Sequence, residues 1–347
     1  MVKRVVCFAY KDLSSTSVRY RIKYPFDFLQ THRSIRVRTA TMNSSWRVVL
    51  LILECLMFFR TATTVMVIHG VSGSDGLSKW IQVMLRFRNF RMIYDLDEGN
   101  YLKGDVDSFS YFVNRAHSIT LGHESLAEVV KSNNKRTQVI PSPIPDLGHS
   151  ADIHFDECVV GWIGDYDVED AADESFSNKR ALYDLVFPAF LDISFPVKLV
   201  LLGINSNEDA RDIKLYFQDC PFVKLDIPIA FDRTNEEAVQ RQICSWDIGL
   251  APLIDHEFNR TTSAIALKQY INNGVPILAS SVGNQSSLFG EHEGGFTCGN
   301  SEDFLNGMIA ISLLSKKERL AWRDALLTRR HAFSVTHASE LWLKEFS

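Results

Sequence analysis

The sequence predicts an α/β chain of two Rossmann-like, doubly wound domains facing a cleft. Three observations carry this: a length of 347 residues, short apolar runs alternating twice with amphipathic stretches, and a proline-rich break between the two series. Strands are expected at Arg4–Ala9, Ile35–Thr39, Thr64–Ile68, Met92–Asp95, Ser118–Leu121 and Thr137–Ile140. Helical periodicity fills 17–31, 44–59, 76–88, 107–116 and 123–133. Strand and helix in strict alternation imply parallel pairing through right-handed crossovers.

Pro141-Ser-Pro-Ile-Pro145 can sit in neither a helix nor a central strand and is read as the linker. The pattern then restarts. Strands are expected at Val159–Ile163, Val197–Leu202, Phe222–Leu225, Ile248–Pro252, Pro276–Ala279 and Gly295–Cys298. Helices are expected over 176–190, 207–218, 235–244, 262–273, 301–314, 315–330 and 335–346. The domains expected are therefore 1–145 and 146–330, with a C-terminal helix over 331–347 that can return to the first.

With 46% hydrophobic and 23% charged residues, the composition excludes a mainly disordered chain. No apolar run reaches the roughly 18 residues of a membrane span, and the N-terminus carries no secretory pattern. Six cysteines without metal-ligand spacing read as reduced thiols of a cytoplasmic protein. The net charge of −5 conceals an asymmetry. Residues 1–145 hold 20 basic and 11 acidic side chains, a net of +9; residues 146–347 hold 17 and 31, a net of −14. The basic half suits phosphates or an anionic surface, or is simply uneven surface charge. Trp46 to Arg60 contains twelve apolar residues, too few to span a bilayer. It reads as a helix buried on the sheet, or as one lying partly in a membrane interface.

Ligands of doubly wound sheets bind beyond the carboxyl ends of the strands. After the first strand, Ser15 and its hydroxyl neighbours can cap a helix whose first turns carry Arg19 and Arg21. Those arginines either reach the cleft or are solvated. After the fourth strand come Asp95, Asp97 and Glu98, suited to base work or to holding sugar hydroxyls, or else to capping and pairing with arginines. His69 and His123 follow the third and fifth strands, and neither has metal-ligand spacing. Gly161 and Gly164 would let a ligand approach the backbone. The run from Asp247 to Gly283 is densest: a strand ending at Pro252, Arg260, and a helix expected to open on Thr261, Thr262 and Ser263 and to close at Gly274. A hydroxyl-bearing helix start preceded by an arginine suits a diphosphate.

Asp247-Ile-Gly-Leu-Ala-Pro-Leu253, Phe258-Asn-Arg260 and Gln269-Tyr-Ile-Asn-Asn-Gly-Val-Pro-Ile-Leu-Ala-Ser-Ser-Val-Gly283 resemble the nucleotide-sugar-binding domain of GT-B glycosyltransferases of the family-4-like group. Gly161-Trp-Ile-Gly164 and Tyr94-Asp-Leu-Asp-Glu98 are similar to further segments of it, the latter to a subgroup of cell-surface polysaccharide assembly. The resemblance implies a hexosyltransferase-like enzyme moving a sugar from a nucleotide-sugar to a glycan or lipid-linked glycan, in polysaccharide or lipopolysaccharide synthesis. It implies no essential metal; no cofactor and no nucleic acid are expected, and with the thiols and the basic half the location expected is cytoplasmic, with weak peripheral contact at the inner membrane face as the alternative. On this reading Asp95, Asp97 and Arg260 are catalytic. Arg19, Gly161, Gly164, Thr262, Ser263 and Gln269 bind the donor; Ser15, His69 and Glu98 bind the acceptor.

The chain departs from the pattern where the family carries a lysine, here Ala266, and an acid, here Gln269. Lys268 lies two residues off, about 200° around the helix and expected to face away from the cleft. Two alternatives follow: a catalytically degenerate nucleotide-sugar or glycan binder, and an epimerase of the same fold.

Overall fold

The structure is a computed structural model that describes residues 2–71, 76–102, 106–133, 135–153, 157–166, 176–290 and 292–347. The chain divides into two compact units. Unit 1 comprises Met1–Pro145, Thr261–Ser263 and Ala332–Ser347; unit 2 comprises Asp146–Arg260 and Ala264–His331.

Unit 1 holds β1 (Arg4–Ala9), β2 (Arg36–Thr41), β3 (Thr64–His69), β4 (Arg91–Leu96), β5 (Ser118–Leu121) and β6 (Arg136–Val139). They form one parallel sheet in the order β2-β1-β3-β4-β5-β6. Thr64-Val-Met-Val-Ile-His69 is buried throughout, because a parallel strand in the middle of such a sheet is covered on both faces. Alternate residues feed two cores. Val6, Phe8, Met66 and Ile68 pack with Val48, Ile52 and Ile81 on one side. Val5, Cys7, Val65 and Val67 pack on the other with Phe26, Trp342 and Phe346. The last two belong to the Val335–Phe346 helix, which completes the sheet's second face. Its buried Glu345 accepts from Arg136 at 2.8 Å and from Ser118 at 2.9 Å.

Unit 2 holds β7 (Cys158–Ile163), β8 (Val197–Leu202), β9 (Val223–Asp226), β10 (Ile248–Ala251), β11 (Ile277–Ser280) and β12 (Gly295–Cys298), parallel in the order β12-β11-β10-β7-β8-β9. Its Lys316–Arg329 helix starts on a capping box, with Ser315 and Glu318 each bonding the other's backbone N–H. Gly274, at φ +70°, closes the Ile265–Asn273 helix in the left-handed conformation that glycine adopts without a Cβ clash.

Both long helices expected near the start of each half carry a π-helical turn, Arg19–Lys23 in one and Leu182–Val186 in the other. The cause is local. Pro25 and Pro188 have no N–H for the carbonyls of Arg21 and Asp184 four residues back, and each helix absorbs the missing bond by widening one turn.

Gly161 is a correction to the sequence reading. It lies inside β7, and a Cβ built on it would stand 2.0 Å from the indole of buried Trp246. Trp246 needs the space expected for a ligand. Gly161→Ala should therefore cost about 1–3 kcal/mol through overpacking, read from a denaturant midpoint. An unchanged midpoint would return the glycine to ligand approach.

Candidate functional site

In unit 1 the parallel register brings the polar groups together. His69 of β3, Asp95 of β4 and Thr120 of β5 are lateral neighbours across the sheet. Asp95 Oδ1 accepts from Thr120 Oγ1 at 2.5 Å and from Arg21 Nη2 at 2.7 Å; Oδ2 accepts from Arg21 Nε at 3.1 Å and from His69 Nδ1 at 2.7 Å. Because an ionised carboxylate only accepts, His69 donates through Nδ1, and its other ring nitrogen is Nε2. That Nε2 is buried and has no partner among the described residues.

Burial alone would push the Asp95 carboxyl up. The Arg21 charge and the hydrogen bonds from His69 and Arg21 outweigh it and hold the group well below the usual carboxylate range. Asp95, expected to be catalytic, is fully buried with both oxygens engaged, and stands at the centre of the cluster. His69, expected at the acceptor, is equally buried and bonded to it.

Asp97 is also buried, with Oδ1 accepting from Ser142 at 2.8 Å and Oδ2 from Ser17 at 3.3 Å. Its oxygens tie the β4 end to the first helix and to the proline-rich segment. Glu98 is the only one of the three acids that is not fully buried. Its Oε1 accepts from Ser263 Oγ at 3.0 Å. Burial of its carboxyl, then the Asp97 charge, raise it to about 7 against the weaker opposing bond from Ser263. His123 Nε2 donates to the Thr261 carbonyl at 2.9 Å, so Thr261–Ser263 sits against Glu98 and His123 within unit 1.

Two further residues after β1, one at the helix start and one in its π-helical turn, are placed. Ser15 Oγ donates to the Asp12 carbonyl at 2.7 Å, and Arg19, largely buried, donates through Nη1 to the Ser14 carbonyl at 3.1 Å. Sequence reasoning had no means of pairing Arg21 with Asp95, 74 residues apart, nor of adding Ser17, Thr120 and Ser142 to the cluster.

In unit 2 the carboxyl ends of β7 and β8 meet around Arg233. Its Nη1 donates to the Gly164 carbonyl and to Asp165 Oδ1, both at 2.6 Å. Beyond β10, Arg260 ends the short Glu257–Arg260 helix and forms a two-pronged pair with Asp255, Nε to Oδ1 at 2.6 Å and Nη2 to Oδ2 at 2.9 Å. Its side chain is 59% exposed, so a phosphate can compete with Asp255 for the guanidinium.

The helix expected to open on Thr261, Thr262 and Ser263 starts later, at Ile265. Ala264 at its head has φ +51° and a methyl group that cannot cap. The hydroxyls of 261–263 therefore lie upstream of the helix start, and Ser263, expected at the donor, is bonded to Glu98 instead. Gln269 is buried in the helix, and so is Lys268.

Two parallel six-stranded α/β units in one chain are the architecture of GT-B glycosyltransferases, and the chain has that fold. Solved structures of the fold superpose along its full length. HepE from Anabaena in complex with UDP is 12% identical, with 99% of each chain covered and a TM-score of 0.66. Sucrose-phosphate synthase from Thermosynechococcus elongatus is 12% identical, with 99% of this chain and 98% of that one covered and a TM-score of 0.69. The apo form of the lipopolysaccharide outer core galactosyltransferase WaaB is 10% identical, with 98% of each chain covered and a TM-score of 0.65. No protein-family model matches the sequence, and no protein of curated function does.

Proposed function

We propose that the chain is a glycosyltransferase that moves a sugar from a nucleotide-sugar to a glycan or lipid-linked glycan. The pathway we infer is polysaccharide or lipopolysaccharide assembly at the cytoplasmic face of a membrane. The observation that carries this reading is the GT-B fold over the whole length, with an exposed Arg260 at the β10 end of unit 2. HepE has been solved with UDP, with UDP-glucose and with UDP and glucose, which supports the same class of donor here.

The reaction expels a nucleoside diphosphate, so the main catalytic requirement is positive charge and N–H groups at the developing phosphate charge. Arg260 would supply the charge, and the backbone around Gly164 would face the donor. Glu98, held by Ser263, would orient the acceptor hydroxyl and receive its proton; its raised carboxyl suits it to accept one near neutral pH. Asp95, with Arg21 and His69, would hold the β4 end in place as a positioning group. No metal is invoked in these steps.

Calorimetry with nucleoside diphosphates and their sugars tests the reading. Binding of at least one, followed by transfer to a glycan, is expected. Arg260→Ala should weaken nucleoside diphosphate binding roughly tenfold or more, since a bidentate charge-assisted contact is lost; unchanged affinity rules the residue out. Ala266 and Gln269, standing where the family pattern has a lysine and an acid, favour a second reading, a binder without transfer. Tight binding with no turnover would select it.

A further inference from the structure

The Ser45–Met57 helix is apolar on both sides, and only one side faces the core. Val48, Leu51, Ile52 and Cys55 are buried on the sheet. Trp46, Val49, Leu50, Leu53 and Met57 recur at three- and four-residue spacing and form an outward stripe, with Trp46 66% and Met57 61% exposed. The Gly76–Phe87 helix packs beside it and repeats the arrangement. Ile81, Met84 and Leu85 are buried, while Trp80, Val83 and Phe87 point outward, with Trp80 61% and Phe87 76% exposed. Arg88 joins the two by donating to the carbonyls of Leu56 and Phe59. Side by side, the stripes place four large aromatic groups, Phe58 included, in water. A soluble monomer rarely leaves such a patch exposed without a use for it.

Among the described residues, the charged side chains of this face are almost all cations. Arg47, Arg60, Lys79 and Arg86 are exposed on or beside the two helices, against a single acid among the described residues, Glu54, which Arg38 already neutralises at 2.6 Å. A groove of about 300 Å³ runs between β2 and the first helix, lined by Arg38, Thr39, Trp46, Arg47 and Leu50 among others. Apolar side chains framed by arginines and tryptophans match the layering of a bilayer surface, with acyl chains beneath anionic headgroups. A second copy of the same face would bring like charges together.

We propose that these paired helices dock unit 1 on an anionic phospholipid bilayer. The tryptophans and Leu50, Leu53 and Phe87 enter the interface, and Arg47 with its neighbours meets headgroup phosphates. Among the described residues no helix is long and apolar enough to cross a membrane, so the attachment is peripheral. The surface lies on helices flanking the sheet rather than at the strand ends. It deepens the proposed lipid-linked acceptor by naming where the lipid phase is met.

Co-flotation of the full chain with phosphatidylcholine vesicles, with and without phosphatidylglycerol, tests it at low and high salt. Binding is expected to anionic vesicles only and to fall with salt. Arg47→Gln, Lys79→Gln and Arg86→Gln combined should weaken partition on the order of 100-fold. Trp46→Ser with Trp80→Ser should abolish it. Absence of wild-type binding at low salt overturns the proposal, as does full binding by the tryptophan variant. A dimer that the same variants dissolve would assign the face to a second copy instead. Nucleoside diphosphate affinity, measured on the same samples, reports on the glycosyltransferase reading separately and should be equal in all of them.

Discussion

Asp95→Asn is expected to destabilise unit 1 by about 3 kcal/mol, the lower end of the usual cost of breaking a buried ion pair, because Asp97 at 3.8 Å remains as a weaker partner of Arg21. Asparagine keeps the shape but removes the charge that Arg21, fully buried, requires. Total stabilities of domains are about 5–15 kcal/mol, so the loss should remove a large part of the total at room temperature. Denaturant unfolding measures the loss, and a second substitution, Arg21→Met, should recover part of it by removing the under-compensated cation. A midpoint within about 0.5 kcal/mol of wild type would mean that Asp95 does not hold the cluster together. The same group sets an acid limit. Its carboxyl is held below the ordinary range in the folded state, so its contribution is present above the unfolded value near 4 and is lost as the pH falls below that. The Asn variant should lack this part of the acid slope.

Glu98→Gln is expected to lower turnover by about 100-fold or more and to leave nucleoside diphosphate affinity unchanged. The assay uses whichever nucleotide-sugar binds in calorimetry. Wild-type turnover should rise with pH through about 7, as the carboxyl loses its proton, and the variant should lose that rise. Stability moves the opposite way. A carboxyl raised from 4.5 to about 7 on folding stabilises the protein fully below 4.5 and loses that contribution as the pH climbs through 7. The Gln variant is therefore expected to be no less stable than wild type at pH 8. A folded variant with wild-type turnover would remove Glu98 from the reaction.

Much of the candidate site was legible from residue type and position. Acids after the fourth strand, arginines after the first and the run 247–283 all fall at strand ends, and the fold puts them there. Their ranking was not legible. Tyr94-Asp-Leu-Asp-Glu98 offers three carboxylates of similar chemistry. Which is consumed by structure depends on Arg21, His69, Thr120, Ser17 and Ser142, all distant in sequence. The helix start at 265 was missed because Thr261, Thr262 and Ser263 carry a strong local capping signal. Contacts with His123 and Glu98 override it.

The sequence by itself determined the strand and helix series, the parallel pairing that strict alternation requires, the helix end at Gly274 and the break before Asp146. Each follows from forces acting within a few residues: apolar periodicity, the missing proline N–H, the missing glycine Cβ. Tertiary structure alone decided the rest. The sheet register aligned His69, Asp95 and Thr120, the Trp246 indole filled the space above Gly161, and packing on the sheet left one apolar side of the Ser45–Met57 helix in water. These outcomes depend on which distant groups share a volume, and no local pattern in the chain encodes that.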